Sequence, residues 1–128
     1  MGNSRGARCR ECGAEFEVNE GGGFFFHLLH CNRCGTEKSV GFEKIADIHA
    51  RYVKGLTGPW CVATMDHDQA VQADDSIVPM SAKEYHKAVE AAAGKCRCGG
   101  AFRLKARPRC PRCHSTRLEL LEATLFYD

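Results

Sequence analysis

Between residues 42 and 56, Phe42, Ile45, Ile48, His49, Tyr52, Val53 and Leu56 recur every three or four positions, the period of a helix with one face turned to a core. Gly55, Gly58 and Pro59 end it. Residues 82–93 repeat the pattern, with Tyr85, Ala88, Val89 and Ala92 on one face. Ser81 followed by Glu84 forms a capping-box signature and Gly94 stands where a C-terminal cap belongs, so the pattern predicts a second helix over 82–93. Between them, Trp60 to Ala63 is a short apolar piece, and residues 65–75 are acidic with weak periodicity, enough for one or two helical turns.

On either side of this middle the period drops to two. Residues 14–18 alternate apolar with acidic, residues 19–23 have the Asn and Gly content of a turn, and residues 24–30 read as the return strand of a hairpin. Residues 36–40 add a third strand. Near the other end Phe102, Leu104 and Ala106 face inward while Arg103, Lys105 and Arg107 face water; the Leu-rich run 117–127 returns as one or two strands to close that sheet. Residues 1–8 are polar with nothing to pack and are expected to be disordered. The fold class is α+β. The chain divides into a loose start (1–8), a β-rich module (9–40), a mostly helical middle (41–94) and a second β-rich module (95–128).

Cysteine changes this picture most. Of nine cysteines, eight fall into four close pairs: Cys9 and Cys12, Cys31 and Cys34, Cys96 and Cys98, Cys110 and Cys113. A structural zinc site takes four ligands, and a Cys-x-x-Cys turn aims two sulfurs at one ion. Each pair finds a partner pair within its own end of the chain. Gly13, Gly35 and Gly99 follow three of the pairs, where a positive backbone angle brings N–H groups toward sulfur; His114 occupies that place in the fourth, and Cys96-x-Cys98 is one residue short. Modules of about 30 residues lie below the length at which burial alone offsets chain entropy, so metal must supply much of their stability. Disulfides fit less well than metal at this spacing. With no hydrophobic signal segment before the cysteines, a reducing cytoplasm is the expected location, and no apolar run reaches the roughly 18 residues of a membrane helix.

At these knuckles the chain resembles the zinc-ribbon superfamily, in which two knuckles on β-hairpins clamp one zinc, and it is similar to small bacterial zinc-ribbon proteins. The resemblance covers residues 9–40 and 96–127. It implies two Zn2+ per chain, one held by Cys9, Cys12, Cys31 and Cys34 and the other by Cys96, Cys98, Cys110 and Cys113, and it implies binding rather than catalysis. Zinc ribbons serve many tasks, so the motif points to metal more than to partner. Rubredoxin, an iron electron carrier with similar knuckles, is the alternative; the short knuckle and long middle depart from it. A thioredoxin-like dithiol would need a β-α-β setting that is absent.

Other candidates carry blander readings. His27, His30 and His114 lie near the cysteines, but a full thiolate set leaves them no place at the metal. Asp66, His67 and Asp68 read as a solvated face rather than an acid–base group, Cys61 as an apolar thiol beside Trp60, and Phe24, Phe25 and Phe26 as core rather than a base-stacking platform. Charge is harder to dismiss. The formal net charge is +2, near −2 once each quartet is counted as −2, yet residues 95–117 hold eight Lys or Arg and no acid. Arg97, Arg103, Lys105, Arg107, Arg109, Arg112 and Arg117 would attract phosphate, so RNA or DNA is an alternative partner. The leading expectation is a non-catalytic module that binds a protein partner as an adaptor.

Overall fold

The computed structural model describes residues 2–23, 25–56 and 65–127. In chain order these form β1 (Gly2–Cys9), β2 (Glu15–Glu20), β3 (Phe26–Cys31), β4 (Glu37–Gly41), a 3-10 turn (Phe42–Ile45), α1 (Ala46–Gly55), α2 (Met65–Ala73), α3 (Ala82–Ala93), β5 (Phe102–Arg103) and β6 (Leu118–Tyr127). The class is α+β, with strand-rich ends and a helical middle. The core reading of Phe24, the apolar thiol of Cys61 beside Trp60, and the helix stop at Gly58 and Pro59 lie outside the described residues.

The helices follow their sequence signals. Ser81 Oγ accepts from the Glu84 N–H at 3.2 Å and starts α3; Gly94, at φ +76°, ends it with its N–H on Ala91 O. The face carrying Tyr85, Val89 and Ala93 is buried against the sheet of β3 and β4, with Ala88 half-buried at its side. Ala92, expected on this face, is exposed, one position round the helix from the buried Ala93. Leu29, Val40, Ile45 and Phe102 complete this core, and removing side chains such as Leu29 or Phe102 from water contributes about 1.5–3 kcal/mol each. Tyr52 stacks on Tyr85 with ring centroids 4.1 Å apart, and the buried Tyr85 hydroxyl is satisfied by His27 Nε2 at 2.6 Å. Burial, with His49 and His86 nearby, lowers His27 to about 4, so its ring is neutral at neutral pH. The Gln72 side chain donates to Val53 O at 2.7 Å, and Lys54 Nζ to Gln72 O at 2.6 Å, fastening α2 to α1.

Strand pairing departs from the expected modules. The polar start is not disordered: β1 is the middle strand of a three-stranded antiparallel sheet ordered β2-β1-β6. Among the described residues the expected hairpin of 14–18 with 24–30 does not form either. Instead β2 pairs with β1, while β3 is the middle strand of a second sheet ordered β4-β3-β5. The return run 118–127 is one strand and joins β1, with Cys9 opposite Leu118. Short β5 joins β3, with Cys31 opposite Phe102. Each sheet therefore takes strands from both ends of the chain.

The two sheets are tied by specific contacts. Asn19 of β2 donates from its backbone and its side chain to the Glu37 carboxylate of β4, both at 2.9 Å. Phe26 stacks on Tyr127, and the Tyr127 hydroxyl donates to Gly21 O at 2.9 Å. Phe26 is half-buried against Tyr127, and Phe25 is 64% exposed and is not core. The alternation of residues 102–107 survives in burial, Phe102, Leu104 and Ala106 being covered and Arg103, Lys105 and Arg107 exposed, although regular pairing stops at Arg103.

Candidate metal centres

Strand register decides which knuckles meet. Pairing of β1 with β6 carries the Cys9 turn alongside the turn before β6: Arg10 N–H donates to Arg117 O at 2.9 Å, and Arg117 Nη1 pairs with Glu11 Oε1 at 2.7 Å. Pairing of β3 with β5 does the same for the other two turns, with Asn32 N–H on Ala101 O and Ala101 N–H on Asn32 Oδ1. The result is an outer quartet of Cys9, Cys12, Cys110 and Cys113, and an inner quartet of Cys31, Cys34, Cys96 and Cys98. All eight expected cysteines are used. Their division is a correction, since the expected sets kept each quartet within one end of the chain.

Each quartet fits a tetrahedral ion. Sγ of Cys9 lies 3.4 Å from that of Cys113, and Cys12 lies 3.5 Å from Cys110. In the inner set Cys31 lies 3.4 Å from Cys98, and Cys34 lies 3.5 Å from Cys96. All sulfurs of a set fall within 4.8 Å of one another. A zinc–thiolate tetrahedron with bonds of about 2.3 Å has edges of about 3.8 Å, inside that span. The eight thiols are free, so the closeness is not that of disulfides.

The turns explain the aim of the sulfurs. Gly13, Gly35 and His114 each donate a backbone N–H to the carbonyl of the first cysteine of their pair, at 2.9, 3.1 and 2.9 Å; in the shorter knuckle Gly99 donates to Cys96 O at 3.0 Å. All four residues have positive φ, from 64° at His114 to 90° at Gly99, so His114 takes the left-handed conformation that glycine takes elsewhere. Four backbone N–H groups, of Glu11, Arg33, Gly100 and Arg112, point at Sγ of Cys9, Cys31, Cys98 and Cys110 at 3.4 Å. Such donors favour thiolate and orient it toward a cation.

The electrostatics of each set call for a cation. The Thr36 hydroxyl, 3.0 Å from Sγ, and the Thr36 backbone hold Cys34 down to about 6. Burial would raise Cys110, but N–H groups of Cys113 and Arg112 outweigh it and hold that thiol at about 6. One sulfur in each set goes the other way. Although the Gly100 N–H lowers it, Cys98 is pushed up to about 11 by Cys31 and its other sulfur neighbours; Cys113, despite the Ser115 N–H, is pushed up to about 12 by Cys9 and the rest of its set. Four thiolates this close repel, and a divalent ion at their centre is what lets all four ionise, so metal uptake releases protons.

The remaining candidates separate. His27 hydrogen-bonds Tyr85, and His30 is buried with Nε2 3.6 Å from Glu37 Oε1; among the described residues only the two cysteine sets group as metal-capable side chains. Asp66, His67 and Asp68 open α2. They are not simply a solvated face, since Asp68 is 5% exposed and His67 Nδ1 lies 3.3 Å from it. The seven basic residues lie in different surroundings, with Arg107 exposed. Arg117 is paired with Glu11, Arg109 donates to His114 O at 2.9 Å, and Arg97 and Arg112 sit in knuckles, whereas Arg103 and Lys105 turn toward α3. No helix among the described residues is long and apolar enough to cross a membrane.

Two sheets, each carrying one four-cysteine group able to hold a metal ion, define a small metal-binding α+β protein. The chain belongs to the family described as a domain of unknown function (DUF8255), whose model matches residues 5–119 and so spans both quartets. Among the curated proteins and the solved structures no match is found.

Proposed function

We propose that this is a non-catalytic zinc protein of zinc-ribbon type, in which two structural ions fix a surface that docks a partner protein as an adaptor. The observation that carries the zinc reading is the all-thiolate quartet. Four sulfurs complete a tetrahedral shell and leave no open position for substrate, while zinc adds no redox chemistry. Elemental analysis of the untagged protein should find two zinc ions per chain and no visible colour. Iron with thiolate charge-transfer bands would overturn the reading in favour of an electron carrier.

The docking surface in this reading is β6. It is ten residues long, stands at the edge of its sheet, and among the described residues pairs with no strand on its outer side. Leu120, Leu121, Leu125 and Phe126 are 41–68% exposed along it. Unpaired N–H and C=O groups beside apolar side chains are a template for an added strand. Glu119 and Glu122 are exposed on the same strand, so a second copy would bring carboxylates toward carboxylates, whereas a partner segment alternating apolar and basic residues would pair them. A synthetic peptide alternating valine and lysine, of about the length of β6, should bind saturably, and Leu121→Lys with Leu125→Lys should weaken it at least about tenfold. Undiminished binding by that variant, or a concentration-dependent dimer in sedimentation, would contradict the assignment.

A further inference from the structure

Helix α3 and the segment after β5 are brought side by side by one carboxylate. Glu90 accepts the Leu104 N–H at 3.0 Å and pairs with Arg103 at 3.5 Å. Between the two elements runs a groove of about 610 Å3. Its basic side chains come from stretches that look unrelated in sequence: Lys83, His86 and Lys87 from α3, Arg103 and Lys105 from the other wall. Among the described residues Glu90 is the one acid lining it, and its oxygens are engaged by Leu104 and Arg103. Lys83, Lys87 and Lys105 form no ion pair among the described residues.

The floor differs from the rim. Leu104 and Ala106 supply apolar surface, and the rings of His27 and His86 border it. A second groove of about 390 Å3 shares His27, Leu104, Lys105 and Ala106 with the first, so the two adjoin, and it adds Arg107 together with one acid, Glu20. Spaced cations beside an apolar floor with flat rings suit a chain of phosphates whose bases can lie against the protein. A duplex offers phosphates but keeps its bases stacked inside, and an acidic peptide satisfies the cations without a flat ring for the floor.

We infer that the groove between α3 and residues 103–107 binds a single-stranded nucleic acid, its phosphates on Lys83, Lys87, Arg103 and Lys105 and its bases over Leu104, Ala106 and His86. This goes beyond the docking reading and uses the other sheet, so either can fail without the other.

The test is fluorescence anisotropy of the zinc-loaded full chain with a labelled oligouridylate of about a dozen nucleotides, beside its deoxy counterpart, a duplex of equal length and polyglutamate. The single strand should bind tightest, whether ribose or deoxyribose. With four phosphates neutralised, affinity should fall roughly 50-fold between about 50 and 200 mM salt. Lys83→Glu with Lys105→Glu should weaken binding at least about tenfold with zinc content unchanged, while Arg112→Glu, in the outer knuckle, should leave it within about twofold. Absent binding at the lower salt, equal or tighter binding of duplex or polyglutamate, or indifference to the double substitution would each overturn the inference. The zinc analysis and the β6 peptide assay on the same preparation show separately whether the binding-module reading stands.

Discussion

A chain with serine at Cys9 and Cys12 should bind one zinc ion, a chain with serine at Cys110 and Cys113 should bind one, and the chain with all four substitutions should still bind one. This follows from the nesting of the sites. The outer quartet joins the first and last knuckles, so both pairs serve the same ion, and the inner quartet of Cys31, Cys34, Cys96 and Cys98 is complete without either. Quartets kept within each end of the chain would leave the four-substituted protein with no ion. The converse combination, serine at Cys9, Cys12, Cys31 and Cys34, should abolish zinc binding, where the within-end arrangement would preserve one ion. Structural zinc contributes on the order of 10 kcal/mol in small domains, so loss of the outer ion should also fray β1 and β6. The core of Leu29, Val40, Tyr85 and Val89, held under the inner site, should persist. Elemental analysis reads the stoichiometry, and proteolysis near the termini reads the fraying.

The second large effect is expected from a single methyl group. A Cβ at Gly100 would stand 2.6 Å from Cys31 Sγ and 3.0 Å from Cβ of Arg33, so Gly100→Ala drives a methyl into a ligand sulfur at the point where β5 meets β3. Overpacking of this kind costs about 1–3 kcal/mol, and because the sulfur itself must move, the cost falls on metal binding: affinity of the inner site should drop roughly 10- to 100-fold. Competition with a chelator measures it, and the outer site should be unaffected. An unchanged inner affinity would mean that the two knuckles do not meet as described. A milder version of the same logic joins the sites. A Cβ at Gly35 would lie 2.6 Å from Cβ of Arg109, so the residue after Cys34 packs against the residue before Cys110.

The eight paired cysteines and the helices α1 and α3 were legible in the sequence because their signals are local: cysteine spacing, helical period, the Ser81 cap and the Gly94 stop. Helix α2, with its weak periodicity, is longer than the one or two turns expected. The pairing of knuckles was not legible. Four equivalent knuckles combine into two quartets in three ways, and spacing alone favours the shortest loops. Yet joining Cys12 to Cys110 rather than to Cys31 lengthens the closed loop about fivefold, which costs only about 1–2 kcal/mol because closure entropy grows with the logarithm of length. Two strand pairings outweigh that. The pairing of β1 with β6 was hidden because β1 carries no bulky apolar residue. Ser4 and Ala7 are buried through their central place in the sheet, and Gly6 sits beneath the Leu121 side chain, so hydrophobic alternation gives no sign of them. The groove was hidden for a similar reason. Lys83 and Lys105 meet only once Glu90 holds α3 to Leu104.

The claim on which the rest depends is that two ions are each held by knuckles from opposite ends of the chain. It is tested most directly by replacing zinc with cadmium-113 in the intact protein and correlating each cadmium resonance with the cysteine β-protons. One resonance should correlate with Cys9, Cys12, Cys110 and Cys113, and the other with Cys31, Cys34, Cys96 and Cys98. A single cadmium correlated with both Cys9 and Cys31 would contradict the account.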